Sequence, residues 1–178
     1  MDQRSSEPGL PLAYFITFSG YGTWIHGDER GSVDQEHNLP GTPYLTPNAS
    51  RAECELSKMD EEAYFMDETR RARVLEGVLQ VCELRNWDLF AAHVRQAHVH
   101  VVVAASDAPE KVMHALKSYA SRRLSDAGLD SGDRKRWARH GSTRYLWNTQ
   151  AVEEAVAYVV DEQGEPMAVY DRRRKPPL

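Results

Sequence analysis

His98 and His100 flank Val99 in the segment AHVHVVVAA (97–105). Imidazoles bind divalent metals, and residues two apart in a β-strand project from the same face. A rise of ~3.3 Å per residue sets the two rings roughly 7 Å apart, near enough to share one ion. Val99, Val101 and Val103 then point the other way, into a core. A half-buried strand with two histidines on one face is a rigid platform for a cation. The plain alternative is two partly exposed histidines on a sheet face. The second reactive group is a phenol. Tyr158 lies in NTQAVEEAVAYVVDEQG (148–164), where Val152, Val156, Val159 and Val160 cover much of a helix surface. Tyr158 belongs to another face, with Ala151, Glu154, Ala155 and Glu162, and the small alanines leave its hydroxyl accessible. The more ordinary role for such a tyrosine is an amphipathic core edge.

These groups depend on the elements that carry them. Tyr14 to Ser19 (YFITFS) is aromatic and β-branched and predicts a strand. Residues 20–66 are rich in glycine and proline and predict an irregular stretch, long enough to be functional or mobile. Arg71, Val74, Leu75, Val78, Leu79 and Cys82 recur at helical spacing, so Asp67 to Asn86 predicts a helix that Asp67 could cap. Strands follow at 87–94 and 97–105, with a turn at Arg95 and Gln96. SDAP (106–109) opens a second helix that runs to about Ser125. Residues 126–142 predict a polar loop with a basic RKRWAR segment, and Thr143 to Trp147 a short strand. Thr149 to Gln163 predicts the last helix, stopped by Gly164 and Pro166. The order β–α–β–β–α–β–α predicts an α+β, ferredoxin-like split βαβ sandwich: an antiparallel sheet with helices on one face. The expected organisation is a flexible arm over 1–12, one domain over 13–164 with an irregular insertion at about 25–66, and a basic tail over 165–178.

Composition sets the outer bounds. A chain of 178 residues with 41% apolar and 28% charged residues has enough material for one packed core. The formal net charge of −5 excludes a uniformly basic nucleic-acid coat. It also hides an asymmetry. Between Asp28 and Glu68 there are eleven acidic and three basic residues; between Lys111 and Arg144 there are nine basic and three acidic. The basic half suits a phosphate backbone, and the alternative is a solvated helix face plus a charged tail. Trp137, Tyr145 and Trp147 interleave with Arg136, Arg139 and Arg144, a pattern that suits unstacked bases of single-stranded DNA. No apolar run approaches the ~20 residues of a membrane span, and no leader-like start is visible. Cys54 and Cys82 form no CxxC pair, which points away from a cysteine zinc site and towards a cytoplasmic setting.

Taken together, these residues resemble a known family. His98-Val99-His100 is similar to the His-hydrophobic-His motif of HUH endonucleases. Tyr158 falls where single-tyrosine transposases of that class carry their nucleophile. YFITFSGYGTW, VRQAHVHVVV, LKSYASRRL and GSTRYLW resemble blocks of the REP-associated and insertion-sequence-200-like members. The resemblance implies an HUH-type fold and a single-strand DNA endonuclease and strand transferase that forms a 5′-phosphotyrosine link on hairpin-forming DNA. It implies Mg²⁺ or Mn²⁺ held by His98, His100 and a third ligand one helical turn after the tyrosine. Helix geometry favours Glu162 for that ligand, because four residues advance ~400°, whereas residue type favours Gln163; Gln163 is preferred. The resemblance also makes the helix after Pro109 a DNA-contact element through Lys117, Ser118, Arg122 and Arg123, with Arg139 and Arg144 beyond it. A homodimer is possible, and no membrane is involved. Tyr119 is a rival nucleophile and is read as core-edge packing. His26, Asp28 and His37 match no metal spacing. The alternative function is a domesticated, non-cleaving nucleic-acid binder on the same fold.

Overall fold

The computed structural model describes residues 10–23, 57 and 59–174. Strand β1 (Ala13–Gly20) is followed by helix α1 (Glu68–Arg85), strands β2 (Asp88–Val94) and β3 (His98–Ala104), and helix α2 (Pro109–Asp126). Strand β4 (Trp137–Leu146), helix α3 (Thr149–Asp161) and strand β5 (Ala168–Asp171) complete the fold, with a 3₁₀ turn over Arg172–Arg174. The five strands order as β4-β1-β3-β2-β5, and every neighbouring pair is antiparallel.

Strand alternation splits the core in two. Tyr14, Ile16, Phe18, Val99, Val101 and Val103 point to one face and are covered by α1 (Val74, Val78, Val81) and α2 (Val112, Leu116, Ala120, Leu124). Ala13, Ala91, Val102 and Leu146 point to the other face and are covered by Val152, Ala155, Val156, Val159 and Val160 of α3. The expected antiparallel α+β sheet is present, but its helices do not all share a face. The physical reason is the apolar area that α1 and α2 leave bare on the second face, which only the valine stripe of α3 can cover. Gly77 lets α1 and α2 approach closely, since a Cβ there would meet the Ala120 backbone at 2.8 Å.

Local signals set the helix ends. The Asp67 carboxylate accepts from Arg70 N at 2.8 Å, and Asn86 closes α1 at φ 52°. Ala108 occupies the N-cap of α2 and makes no side-chain bond; Pro109 follows in the first turn. Asn148 Oδ1 accepts from Ala151 N at 2.8 Å at the start of α3.

Two expected loops contain strands. Residues 137–142, expected in the polar loop, belong to β4, because they continue the ladder on β1 past an irregularity between Phe18 and Gly20. Residues 168–171, expected in the tail, form β5 on the outer edge of β2. The tail arginines are paired: Arg173 with Asp161 and Asp171, Arg174 with Asp171, and Arg172 with Asp88. Most of the insertion, with His26, Asp28 and His37, lies outside the described residues. Its last residues run irregularly, as expected, with Tyr64 and Met66 buried.

Candidate active site

The sheet register brings the chemistry-bearing residues together. His98 and His100 lie opposite Ser19 and Thr17 of β1 and face α3. Their ring centroids are 4.6 Å apart, closer than the strand rise alone suggests, because side chains lean along the strand. Tyr158 sits near the end of α3 with its ring centroid 5.8 Å from that of His100. Phe15 wedges between them, 5.6 Å from the His100 ring and 5.8 Å from the Tyr158 ring. His100 is buried and His98 half-buried, but Tyr158 is 41% exposed, so its phenol stays open to solvent at the rim of the cluster. All these groups come from one chain.

Gln163 joins the cluster. The α3 helix ends at Asp161, and Glu162 has already left helical geometry at φ −109°, ψ 8°. Helical phase therefore no longer applies to residue 163. Gln163 turns back and donates from Nε2 to the Tyr158 carbonyl at 3.1 Å, which brings its side-chain amide beside His100. Glu162 is exposed. The chain turns after α3, with Gly164 at φ 73°, and carries the Gln163 side chain, rather than that of Glu162, towards the cluster.

Burial sets the electrostatics. It pushes His98 down to about 4, with the Arg95 charge adding to the effect. It pushes His100 down to about 3, with His98 adding to the effect and the Gln163 hydrogen bond opposing it. Both imidazoles are therefore neutral at neutral pH, which is the ligating form. His93, opposite His100 on β2, plays a different part. Its Nδ1 bonds the Val159 carbonyl at 2.9 Å, and its Nε2 accepts from Met167 N at 3.2 Å. It ties α3 and the approach to β5 to the sheet, so both its nitrogens are used.

Two neutral imidazoles and an amide oxygen form a donor set that fits one divalent cation and leaves positions for water or phosphate oxygens. Among the described residues, no group of three or more His, Cys, Asp or Glu side chains stands ready for a metal. A cation held by the histidine pair would take its third protein ligand from a neutral oxygen donor such as Gln163.

The basic residues do not form one patch. Lys117 Nζ donates to the carbonyls of Ala138 and His140 at 3.0 and 3.2 Å, and burial lowers it to about 8. Arg123 donates to Gln80 at 3.1 Å across the α1–α2 contact. These two residues staple elements together, a role their spacing did not show. Ser118 and Arg122 are on α2 beside them, and Arg122 is exposed over the Tyr119 ring. The α2 helix covers the sheet face opposite the histidines. Arg139 is exposed and lines a groove between α2 and β4 with His114 and His140. Arg144 lies opposite Phe15 in the register, so it shares the histidines' face. The RKR run of the loop is paired with acidic residues: Arg134 with Glu61, Lys135 with Asp60, and Arg136 with Asp130 at 3.2 Å. Tyr119, on α2, packs against the core on the sheet face opposite the histidine cluster. Thr17, which sequence reasoning missed, bonds His100 Nδ1 at 2.8 Å. Its only signal in the chain was a hydroxyl at an alternate position of YFITFS.

The family model for IS200-like transposases matches residues 57–159. The chain belongs to the IS200-like transposase family. Within this family segment lie both histidines and Tyr158, while β1 with Thr17 and the Gln163 turn fall outside it. No curated protein matches the chain. Among solved structures, a REP-associated tyrosine transposase bound to a REP hairpin is similar at 12% identity and a TM-score of 0.49, covering 91% of this chain and 72% of that one. A chain from Deinococcus radiodurans R1 assigned to the transposases is similar at 12% identity and a TM-score of 0.43, covering 86% and 92%. No helix among the described residues is long and apolar enough to cross a membrane.

Proposed function

We propose that this transposase-family protein cuts and rejoins single-stranded, hairpin-forming DNA through a covalent tyrosine link, with Mg²⁺ or Mn²⁺ held by His98, His100 and Gln163. One observation carries the reading: an exposed phenol stands beside a buried and a half-buried imidazole, both neutral, and a side-chain amide, all supplied by one chain. When bound, the cation would polarise a non-bridging oxygen of the scissile phosphate and help orient it. Tyr158 Oη attacks the phosphorus in line with the leaving oxygen. The Tyr158 O–P bond forms as the P–O3′ bond breaks. The phenol loses a proton, and the departing 3′ oxygen gains one. The product is a 5′-phosphotyrosine and a free 3′-hydroxyl. A second 3′-hydroxyl can reverse the step and join strands, because the phosphotyrosine conserves the phosphodiester.

The residues around the phenol support this role. Phe15 and the close of α3 hold its ring beside His100, and Gln163 ties the Tyr158 carbonyl to the same cluster. Arg144 on the same face is placed to meet a phosphate. The test uses a 3′-labelled hairpin oligonucleotide with Mn²⁺ and a denaturing gel. Wild-type protein is expected to carry label after denaturation, and Tyr158→Phe or added chelator to abolish it. An equal adduct from Tyr158→Phe would remove Tyr158 as nucleophile. DNA binding by wild-type protein without any adduct would favour the non-cleaving binder.

A further inference from the structure

We infer that Thr17 is a positioning residue that fixes which nitrogen of His100 faces the catalytic cluster. The inference rests on reading His98, His100 and Gln163 as a cation site. Thr17 and His100 are direct cross-strand partners on β1 and β3, so the hydroxyl stands beside the ring by register. Thr17 Oγ1 lies 2.8 Å from His100 Nδ1. The ring is only 7% exposed, so bulk water is poorly placed to replace that bond. Phe15, two residues before Thr17 on the same sheet face, packs against the same ring at 5.6 Å. One nitrogen is thus engaged by the sheet, and the other is left for the space shared with Gln163 and Tyr158.

The hydroxyl has the right chemistry because it can both donate and accept. Without a cation, Thr17 can donate to Nδ1 while Nε2 keeps the ring proton. With Nε2 bound to a cation, the ring proton must sit on Nδ1, and Thr17 can accept it. A carbonyl at this position could serve only the second state. A valine could serve neither, and would leave a buried ring nitrogen without a partner. Partners that hold the far nitrogen of a ligating histidine typically change metal affinity by about 10- to 100-fold when removed.

The experiment compares wild type, Thr17→Val and Thr17→Ser. Thr17→Val keeps the β-branched shape and loses the hydroxyl; Thr17→Ser keeps the hydroxyl. Mn²⁺ binding is read by electron paramagnetic resonance of the free ion. Thr17→Val should bind about 10- to 100-fold more weakly, and Thr17→Ser should remain within about threefold of wild type. Folding of each variant is checked by circular dichroism. Should Thr17→Val fail to fold, long-range ¹⁵N–¹H correlation spectra of Mg²⁺-loaded wild type decide the matter. They should show the His100 proton on Nδ1; a proton on Nε2 overturns the inference. Wild-type affinity in a folded Thr17→Val also overturns it, and leaves the cation site itself standing. Absence of Mn²⁺ binding by wild type overturns the cation site, and the inference with it.

Discussion

Lowering the pH from about 8 to about 5 should weaken this protein more than its carboxylates alone can explain. Burial holds His98 near 4 and His100 near 3, whereas an unfolded histidine titrates near ~6.5. Below that unfolded value, the unfolded chain takes up protons that the folded chain refuses. Stability is therefore complete above pH ~6.5, falls as the pH drops below it, and levels off beneath the folded values. At about pH 5 an unfolded imidazole is almost fully protonated and the folded pair almost fully neutral. Each histidine then costs about 2 kcal/mol relative to about pH 8, or roughly 4 kcal/mol for the pair. That is a large share of the ~5–15 kcal/mol that holds a typical domain together. Carboxylates held below their ordinary range, such as Asp67 and Asp171, titrate under this window and add little to it. Urea unfolding at the two pH values measures the loss; a His98→Asn, His100→Asn double variant should remove the pair's share and leave the part due to buried His93, which burial also holds below its ordinary value. Imidazole C–H proton resonances of wild type provide an independent check. Rings that titrate near 6.5, or an unfolding free energy unchanged between the two conditions, would refute the account of a dry, neutral pair.

Three further outcomes follow from particular contacts. Asp130 accepts from the Tyr64 hydroxyl at 2.5 Å and pairs with Arg70 and with buried Arg136; burial alone would raise its carboxyl, but these bonds hold it below its usual range. Asp130→Asn, which strands the Arg136 charge, should destabilise by about 3–5 kcal/mol in urea melts, and the wild-type contribution should fade only as pH falls below ~4. Gln163→Ala should weaken Mn²⁺ binding in a calorimetric titration while Glu162→Ala leaves it unchanged, because only Gln163 turns into the cluster; the opposite ranking would return the ligand role to Glu162. Tyr145 and Trp147 are exposed and stack at 5.7 Å with an interplanar angle of 13°, so Trp147→Ala should weaken single-stranded DNA binding by about 1–3 kcal/mol in fluorescence anisotropy, with little sequence dependence.

The local code of the chain was sufficient for much of the site. Alternation in HVHVVV placed His98 and His100 on one face and Val99, Val101 and Val103 on the other, because the period of a strand is built into its backbone. The spacing of Val74, Val78 and Cys82 specified α1, and Asp67 and Asn86 specified its ends through capping chemistry. The RKR segment, which reads in the sequence only as a basic stretch of loop, is matched by Asp60, Glu61 and Asp130 from elsewhere in the chain. Lys117 and Arg123 are likewise drawn into contacts between elements, because a long cationic side chain takes whichever carbonyl or amide the packing offers.

What only the tertiary structure decided is non-local. The side of the sheet that α3 covers depends on the apolar area α1 and α2 leave bare, and no window of sequence holds that information. The four residues of β5 are too short to announce a strand and form one because the edge of β2 is open to them. Gln163 comes beside His100 because α3 ends at Asp161, two residues before its expected end, and Thr17 reaches it because β1 and β3 pair in one register and not the next. Periodicity belongs to the backbone and can be read from residue types; register, layer and the exact end of a helix are settled by competition among distant surfaces for burial and hydrogen bonds.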